Sequence, residues 1–102
     1  MYLRIVTFHL TGLSPREYAA HAQQIADVFT GWPGLLSKVW LADAENNTYG
    51  GVYLFDSQQA AEASRHTAVF TGMLTSPHFT DVSITEFDVL EGPTAVTTPA
   101  VG

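Results

Sequence analysis

Lys38 and Trp40 stand two apart in the run Leu35-Leu36-Ser37-Lys38-Val39-Trp40-Leu41. Tyr53 and Phe55 stand two apart in Gly50-Gly51-Val52-Tyr53-Leu54-Phe55. That spacing is the period of one face of a strand, so each pair is carried on a single side. Indole and phenol rings make flat walls for an aromatic ligand, and the phenol adds a hydrogen-bonding group. The same two types are also enriched where subunits meet, so Trp40 and Tyr53 read equally as interface packing. Lys38 is the chain's sole lysine. In a partly dry cavity a lysine stabilises an oxyanion or a bound phenolate. Its other reading is a side chain that snorkels to the rim or pairs with a carboxylate of a second subunit.

His66 is the histidine with the best claim to chemistry, because imidazole titrates near working pH and serves as a general base or as a donor to a substrate oxygen. The plainer reading is a helix-surface residue bonded to backbone. His9, with Thr7, is expected as a polar lining residue of a cavity, while His21 and His78 read as surface and loop residues. Cysteine is absent, which removes a thiol nucleophile, a disulfide framework and any thiolate metal site. No histidine and carboxylate spacing suggests a metal. No glycine-rich phosphate loop follows a strand, and no G-x-S-x-G elbow is present. The expectation is a site that works without a cofactor.

The elements that must position these residues follow from local signals. Two β-type runs flank Glu45-Asn46-Asn47-Thr48 and read as an antiparallel hairpin. One hairpin face is aliphatic (Val39, Leu41, Val52, Leu54) and is expected to lie under helices. The other (Leu36, Lys38, Trp40, Tyr53, Phe55) is expected to be covered by a partner subunit or a ligand. Tyr2 to Leu10 reads as a first strand, with Val6, Phe8 and Leu10 toward the helices and Thr7 and His9 on the side of Lys38 and Trp40. Ser14-Pro15-Arg16-Glu17 is a capping box with proline at the first helical position. The stripe Tyr18, Ala22, Ile25, Phe29 then carries a helix to about Phe29. Asp56-Ser57 opens a second helix that stops near Gly72 or Ser76-Pro77, with a second short turn between them also plausible. Asp81 to Leu90 alternates as a final strand.

The order β-α-β-β-α-β is the ferredoxin-like arrangement of an α+β domain with an antiparallel sheet. Two helices cover one face of four strands, so the other face is expected against a second copy of the chain, giving a homodimer. Residues 1–92 form the expected domain. Residues 93–102, rich in Thr, Pro and Ala, form a tail, either disordered or wrapped on the partner subunit.

Composition narrows the classes further. The charge of −6 rests on ten carboxylates against Arg4, Arg16, Lys38 and Arg65, and four scattered cations cannot track a phosphate backbone. Nucleic acid is therefore not an expected partner. No apolar run is long enough to span a bilayer and no leader is evident, so no membrane partner is expected and the cytoplasm is the expected location. Only 14% of residues are charged, well below the usual quarter, which favours subunit contact.

Pro33-Gly34-Leu35, Lys38-Val39-Trp40, Gly50 to Phe55, His66-Thr67-Ala68 and Phe87-Asp88-Val89 together resemble the YdhR-like monooxygenase family, a branch of the dimeric α/β-barrel superfamily that includes the antibiotic biosynthesis monooxygenases. The resemblance runs over roughly Pro33 to Pro93. It implies a dimeric α/β barrel that oxidises a polycyclic phenol or other small aromatic substrate with O2 and no cofactor. In that scheme His66 takes the phenolic proton, Lys38 steadies the anion, and Tyr53 and Trp40 hold the ring. Phe55, Leu36, Thr7, His9 and Phe87 complete the substrate wall. The Asn, Trp and His set of haem-degrading relatives is not found in matching places. The same scaffold also suits a cyclase or isomerase of polyketide-like aromatics, or a non-catalytic ligand-binding or stress-response barrel.

Overall fold

A computed structural model describes residues 1–98 of the 102. The elements are β1 (Tyr2–Leu10), α1 (Pro15–Thr30), β2 (Leu35–Asp43), β3 (Thr48–Phe55), α2 (Gln58–Ser64), α3 (Ala68–Thr75), β4 (Phe79–Asp88) and α4 (Glu91–Thr97). The four strands form one antiparallel sheet in the order β2-β3-β1-β4. This is the ferredoxin-like α+β fold, with the second helical region split in two and a short helix added after the last strand. No helix among the described residues is long and apolar enough to cross a membrane.

Helices α1, α2 and α3 each begin where the sequence supplies a side-chain cap. Ser14 Oγ accepts from the Glu17 amide while the Glu17 carboxylate accepts from the Ser14 amide, so two donors at the end of α1 are satisfied reciprocally. Ser57 and Thr67 cap α2 and α3 in the same way, each accepting from the amide three residues on. The Thr67 cap is what divides α2 from α3. It starts a new helix after the turn at Arg65–Thr67 and re-aims Phe70 toward the sheet. The segment expected as a tail is helical over Glu91–Thr97, with no side-chain cap and with Leu90 and Val96 exposed. The end of that segment, residues 99–102, lies outside the described residues.

The helices cover the face of β1 that carries Arg4, Val6, Phe8 and Leu10, all buried. Register then decides which face of the hairpin joins them. Arg4 pairs with Tyr53 and Tyr53 with Lys38, while Gly51 pairs with both Val6 and Trp40. Cross-strand partners point to the same side, so Lys38, Trp40, Tyr53 and Phe55 lie under the helices. This reverses the expected sidedness of the hairpin. The aliphatic residues Val39, Leu41, Val52 and Leu54 occupy the uncovered face with Leu3, Ile5, Thr7 and Phe87; Val39 is 57% exposed and Phe87 49%. Thr7 and His9 therefore lie on the side opposite Lys38 and Trp40. The physical reason is that both faces of the hairpin are apolar, so alternation alone does not say which is inward. The larger rings fill the space between sheet and helices.

A buried cation ties the two layers together. Arg4 is 0% exposed. Its Nε donates to Glu86 at 2.6 Å, Nη1 to the Ser64 hydroxyl at 2.8 Å and Nη2 to the Ala61 carbonyl at 2.6 Å, so one side chain links β1, β4 and α2. Arg65 also donates to Glu86, at 3.0 Å. Partial burial works against the Glu86 carboxylate, but the hydrogen bond and charge of Arg4, followed by Arg65, outweigh it and hold the carboxyl below its ordinary value.

Replacing Arg4 by Met takes from Glu86 the nearer of its two arginines and from the Ala61 carbonyl one of its two side-chain donors, leaving Arg65 and the Ser64 hydroxyl in place. The expected loss is about 3–5 kcal/mol of unfolding free energy, the usual cost of breaking a buried pair from one side, measured by urea denaturation. The pH dependence has a definite sign. With a folded pKa below the unfolded one, the Glu86 contribution is complete above the ordinary carboxylate value and is lost as pH falls through it toward the folded value. Glu86→Gln is therefore expected to flatten the acid limb of stability, and an acid limb as steep as that of the unsubstituted chain would refute the assignment.

Candidate active site

Between the sheet and helices α1 and α3 lies a cavity of about 420 Å³, within the usual range for small-molecule sites. Phe8, Trp40, Tyr53 and Gly50 come from the sheet, Tyr18, His21, Ile25 and Phe29 from α1, and Val69, Phe70 and Met73 from α3. Trp32, His78 and Phe79 close the ends. The walls are built ring on ring. Phe29 meets Trp32, Trp40 and Tyr53 edge-on at 4.8, 5.5 and 6.1 Å between centroids, and Trp32 stacks on Tyr53 at 6.0 Å. At the other end Phe8 packs on Phe79 at 4.6 Å and on Tyr18 at 5.9 Å.

Lys38 is the one lysine and its amine enters this layer. Nζ lies 3.4 Å from the Trp40 ring centroid, 3.5 Å from Phe29 and 4.6 Å from Tyr53. None of the ion pairs among the described residues includes it. Burial pushes its pKa down to about 7. The negative faces of three rings are what make a charged form tolerable there. Burial raises both phenols that face the cavity: Tyr53 is pushed up, with the Arg4 charge acting the other way, and Tyr18 is pushed up to about 12, with Tyr49 adding to the rise. At neutral pH the cavity thus presents two neutral hydroxyls and one amine poised between its two forms.

The floor beneath Lys38 is bare backbone because β3 carries Gly50-Gly51 there. Gly50 has φ +154°, a conformation that favours glycine, and a Cβ on it would overlap the Val6 carbonyl. A Cβ on Gly51 would stand 2.9 Å from Cε of Lys38. The lysine stem therefore lies across Gly51, and that absence of a side chain is what lets the amine lie among the rings.

Of the residues singled out from the sequence, Lys38, Trp40 and Tyr53 meet in this cavity. Phe55 does not line it; it is fully buried in the adjoining core under Trp32 and the Arg4 guanidinium. Thr7, His9 and Phe87 lie on the opposite face of the sheet, and His9 Nδ1 is 2.7 Å from the Asn47 carbonyl. Leu36 is exposed at the bulge where β2 meets β3. His66 is exposed in the turn between α2 and α3, with its amide bonded to Ala63, and is outside the cavity lining. His21 and His78, expected only as surface and loop residues, both line the cavity; His78 Nδ1 is 2.9 Å from the Thr11 carbonyl. Spacing could have found His21, which stands three residues after Tyr18 and four before Ile25 and so shares their helix face. The α3 residues carried a weaker signal, because the start of that helix was not separable from the end of α2.

The amine's state should be visible in tryptophan emission, since Nζ lies 3.4 Å from the Trp40 ring. A pH titration is expected to show a transition near 7 that disappears in Lys38→Met; His21, His78 and Trp32 persist in the variant and define the background. Stability depends on this group with the same sign as on Glu86 but in a higher pH window. The unfolded lysine keeps its proton up to its ordinary value, while the folded one loses it near 7, so this group makes stability rise with pH between those two values. Lys38→Met should remove that rise and gain most in stability at acid pH. An unchanged slope would show that Lys38 is solvated.

The family model described as "Putative mono-oxygenase ydhR" matches residues 3–100. No curated protein matches the chain. Among solved structures, the cofactor-independent oxygenase SnoaB from Streptomyces nogalater (mutant N63A) superposes with a TM-score of 0.70 at 17% identity, covering 88% of this chain and 93% of its own. The haem-degrader MhuD from Mycobacterium tuberculosis, with two haems bound in its active site, gives 0.70 at 19% identity, covering 88% and 96%. A structure from Deinococcus radiodurans, described as an antibiotic biosynthesis monooxygenase, gives 0.67 at 21% identity, covering 87% and 92%. At these identities the structures share the fold with this chain, whereas the family model spans nearly its whole length. The chain belongs to the YdhR monooxygenase family.

Proposed function

We propose that this protein is a cofactor-independent monooxygenase that oxidises a small polycyclic phenol with O2 in the cavity between sheet and helices. The observation that carries the reading is a ring-walled cavity of about 420 Å³ holding one amine with no carboxylate partner among the described residues. The phenol lies against Trp40 and Phe29 with its oxygen toward Lys38. The neutral amine accepts the phenolic proton, and the resulting ammonium pairs with the phenolate. The electron-rich anion passes one electron to O2, and the two radicals combine to a ring-bound peroxide. Loss of water leaves a quinone: one oxygen atom enters the product and the other leaves as water, so no external reductant is needed. The proton acceptor is thus Lys38 and not His66, whose side chain lies outside the cavity lining. The protein's contribution is a dry wall, a held ring and a nearby base.

Anthrone- or naphthol-type substrates test this directly. Turnover is expected to stop under argon and to consume one O2 per product, with one labelled oxygen atom incorporated from 18O2. Lys38→Met should lower kcat/KM by about 10²–10⁴-fold, the range for loss of a positioned base, while Trp40→Ala should act mainly on KM. Turnover that continues without oxygen would transfer the site to a cyclase or isomerase. Ligand-induced tryptophan quenching with no product would make it a binding barrel.

The reading includes a homodimer through the uncovered sheet face. Leu3, Ile5, Val39, Leu41, Val52, Leu54 and Phe87 make that face apolar across all four strands, and a patch of this breadth calls for cover. A second copy covers it by two-fold symmetry. Light scattering is expected to give a dimer at micromolar concentration and a monomer for Val39→Asp, which puts a charge on the apolar face. A monomeric unsubstituted chain would overturn this part alone.

A further inference from the structure

We propose that Lys38 is also a carbonyl-reactive amine, and that the cavity takes aromatic aldehydes and forms a reversible imine with them at Nζ. A lysine becomes a nucleophile when apolar surroundings disfavour its ammonium form and no acid neutralises it in place. Both conditions hold here. Nζ lies among the rings of Phe29, Trp40 and Tyr53, and within the described residues no Asp or Glu pairs with it. Burial brings the neutral amine into range at neutral pH. Lys38 lines open space of about 420 Å³, so a flat aryl group can stack beside it with its carbonyl carbon within reach. The stem crosses Gly51, where a Cβ would come within 2.9 Å of Cε, and this fixes the direction from which the amine approaches.

The steps balance without any further reactant. The amine lone pair adds to the aldehyde carbon as the carbonyl π bond breaks, and a proton moves from nitrogen to oxygen to give a carbinolamine. Protonation of its hydroxyl and departure of water leave the carbon–nitrogen double bond, so amine and aldehyde give imine and one water. Tyr18 and Tyr53, both kept neutral, are hydroxyls on the cavity wall available to hydrogen-bond the carbonyl oxygen as it takes up charge. This activity shares the oxygenase cavity but needs neither oxygen nor a phenol.

The experiment treats the full chain under argon with 2-naphthaldehyde and sodium cyanoborohydride at neutral pH, followed by mass spectrometry of Glu-C peptides. The only other aliphatic amine is the N-terminus, whose nitrogen lies 3.3 Å from Glu91 and which serves as the internal reference. The expected result is an adduct on Lys38 formed at least about 10-fold faster in the folded protein than in urea, slowed by 2-naphthol, and absent in Lys38→Arg. The N-terminal adduct should respond to none of these changes. Adduct on the N-terminus alone overturns the proposal. So does Lys38 labelling that is no faster folded than in urea, or that 2-naphthol fails to slow, since the amine would then be reacting from solvent. Because oxygen is excluded, an adduct on the N-terminus alone leaves the oxygenase reading standing, and failure of oxygen uptake leaves this one standing; a Lys38 that reacts from solvent removes the shared base from both.

Discussion

Two cations lie against one layer of stacked rings, and the contrast between them organises the molecule. Arg4 sits over Phe55 and Phe70 at 5.0 and 5.2 Å, and Lys38 sits over Phe29 and Trp40 at 3.5 and 3.4 Å; both also face Tyr53. Guanidinium is planar, keeps its charge and donates in several fixed directions. Each of the three Arg4 nitrogens finds a partner on β4 or α2. Ammonium on a flexible stem sheds its charge when desolvated, and Lys38 has been given no acid to prevent it. The same ring layer thus supports a structural joint at one end and, at the other, an amine with no carboxylate partner among the described residues. What separates them is Glu86, present at the first site and without a counterpart at the second.

How much of this was legible in the sequence follows from where each signal is local. The capping box at Ser14 and the period of Tyr18, Ile25 and Phe29 depend only on near neighbours, and α1 forms where they say. β1 likewise shows its inward residues plainly, because Val6, Phe8 and Leu10 alternate with more polar positions. The hairpin gives no such contrast. Its two faces are both apolar, and only pairing Tyr53 with Arg4 and Gly51 with Val6 establishes which is inside. That is a long-range fact. It placed Thr7 and His9 on the wrong side of the expected cavity, since inward residues of β1 were recognised but not linked to inward residues of β3. Trp32 lies in the short turn between α1 and β2, where no local periodicity marks it, yet it stacks on Tyr53 and Phe55. His66 carried a motif resemblance but no geometric constraint, and nothing in local spacing distinguishes a histidine at a helix turn that faces solvent from one that faces a cavity.

The glycine pair on β3 determines what lies beneath the lysine. In most sheets under helices, alternating side chains fill the interlayer space to crystal-like density. Gly51 pairs with Trp40 and so lies on the covered face, and the Lys38 stem occupies the space that its side chain would take. Gly50, next along the strand, holds a conformation that favours glycine and packs its backbone against the Val6 carbonyl. Phe8, Trp40 and Tyr53 stand around this floor as aromatic walls. The hollow is therefore shaped by β3 as well as by the helices that roof it.

A purely structural account of Lys38 meets an energetic objection. Methionine has a similar length, would contact the same rings and would carry no desolvation penalty, and replacing buried unpaired charge by an apolar side chain of similar volume commonly stabilises a domain. The Arg4 site shows how this fold accommodates a cation when the purpose is stability, with donors matched to a carboxylate, a hydroxyl and a carbonyl. Lys38 has none of that support, although it lies on the same sheet and against the same layer of rings. It does have open space in front of it and a backbone floor that keeps its stem from being displaced. A side chain placed at a cost to stability, at the wall of a ligand-sized hollow and poised between its two forms near neutral pH, is what the proposed chemistry at that nitrogen requires.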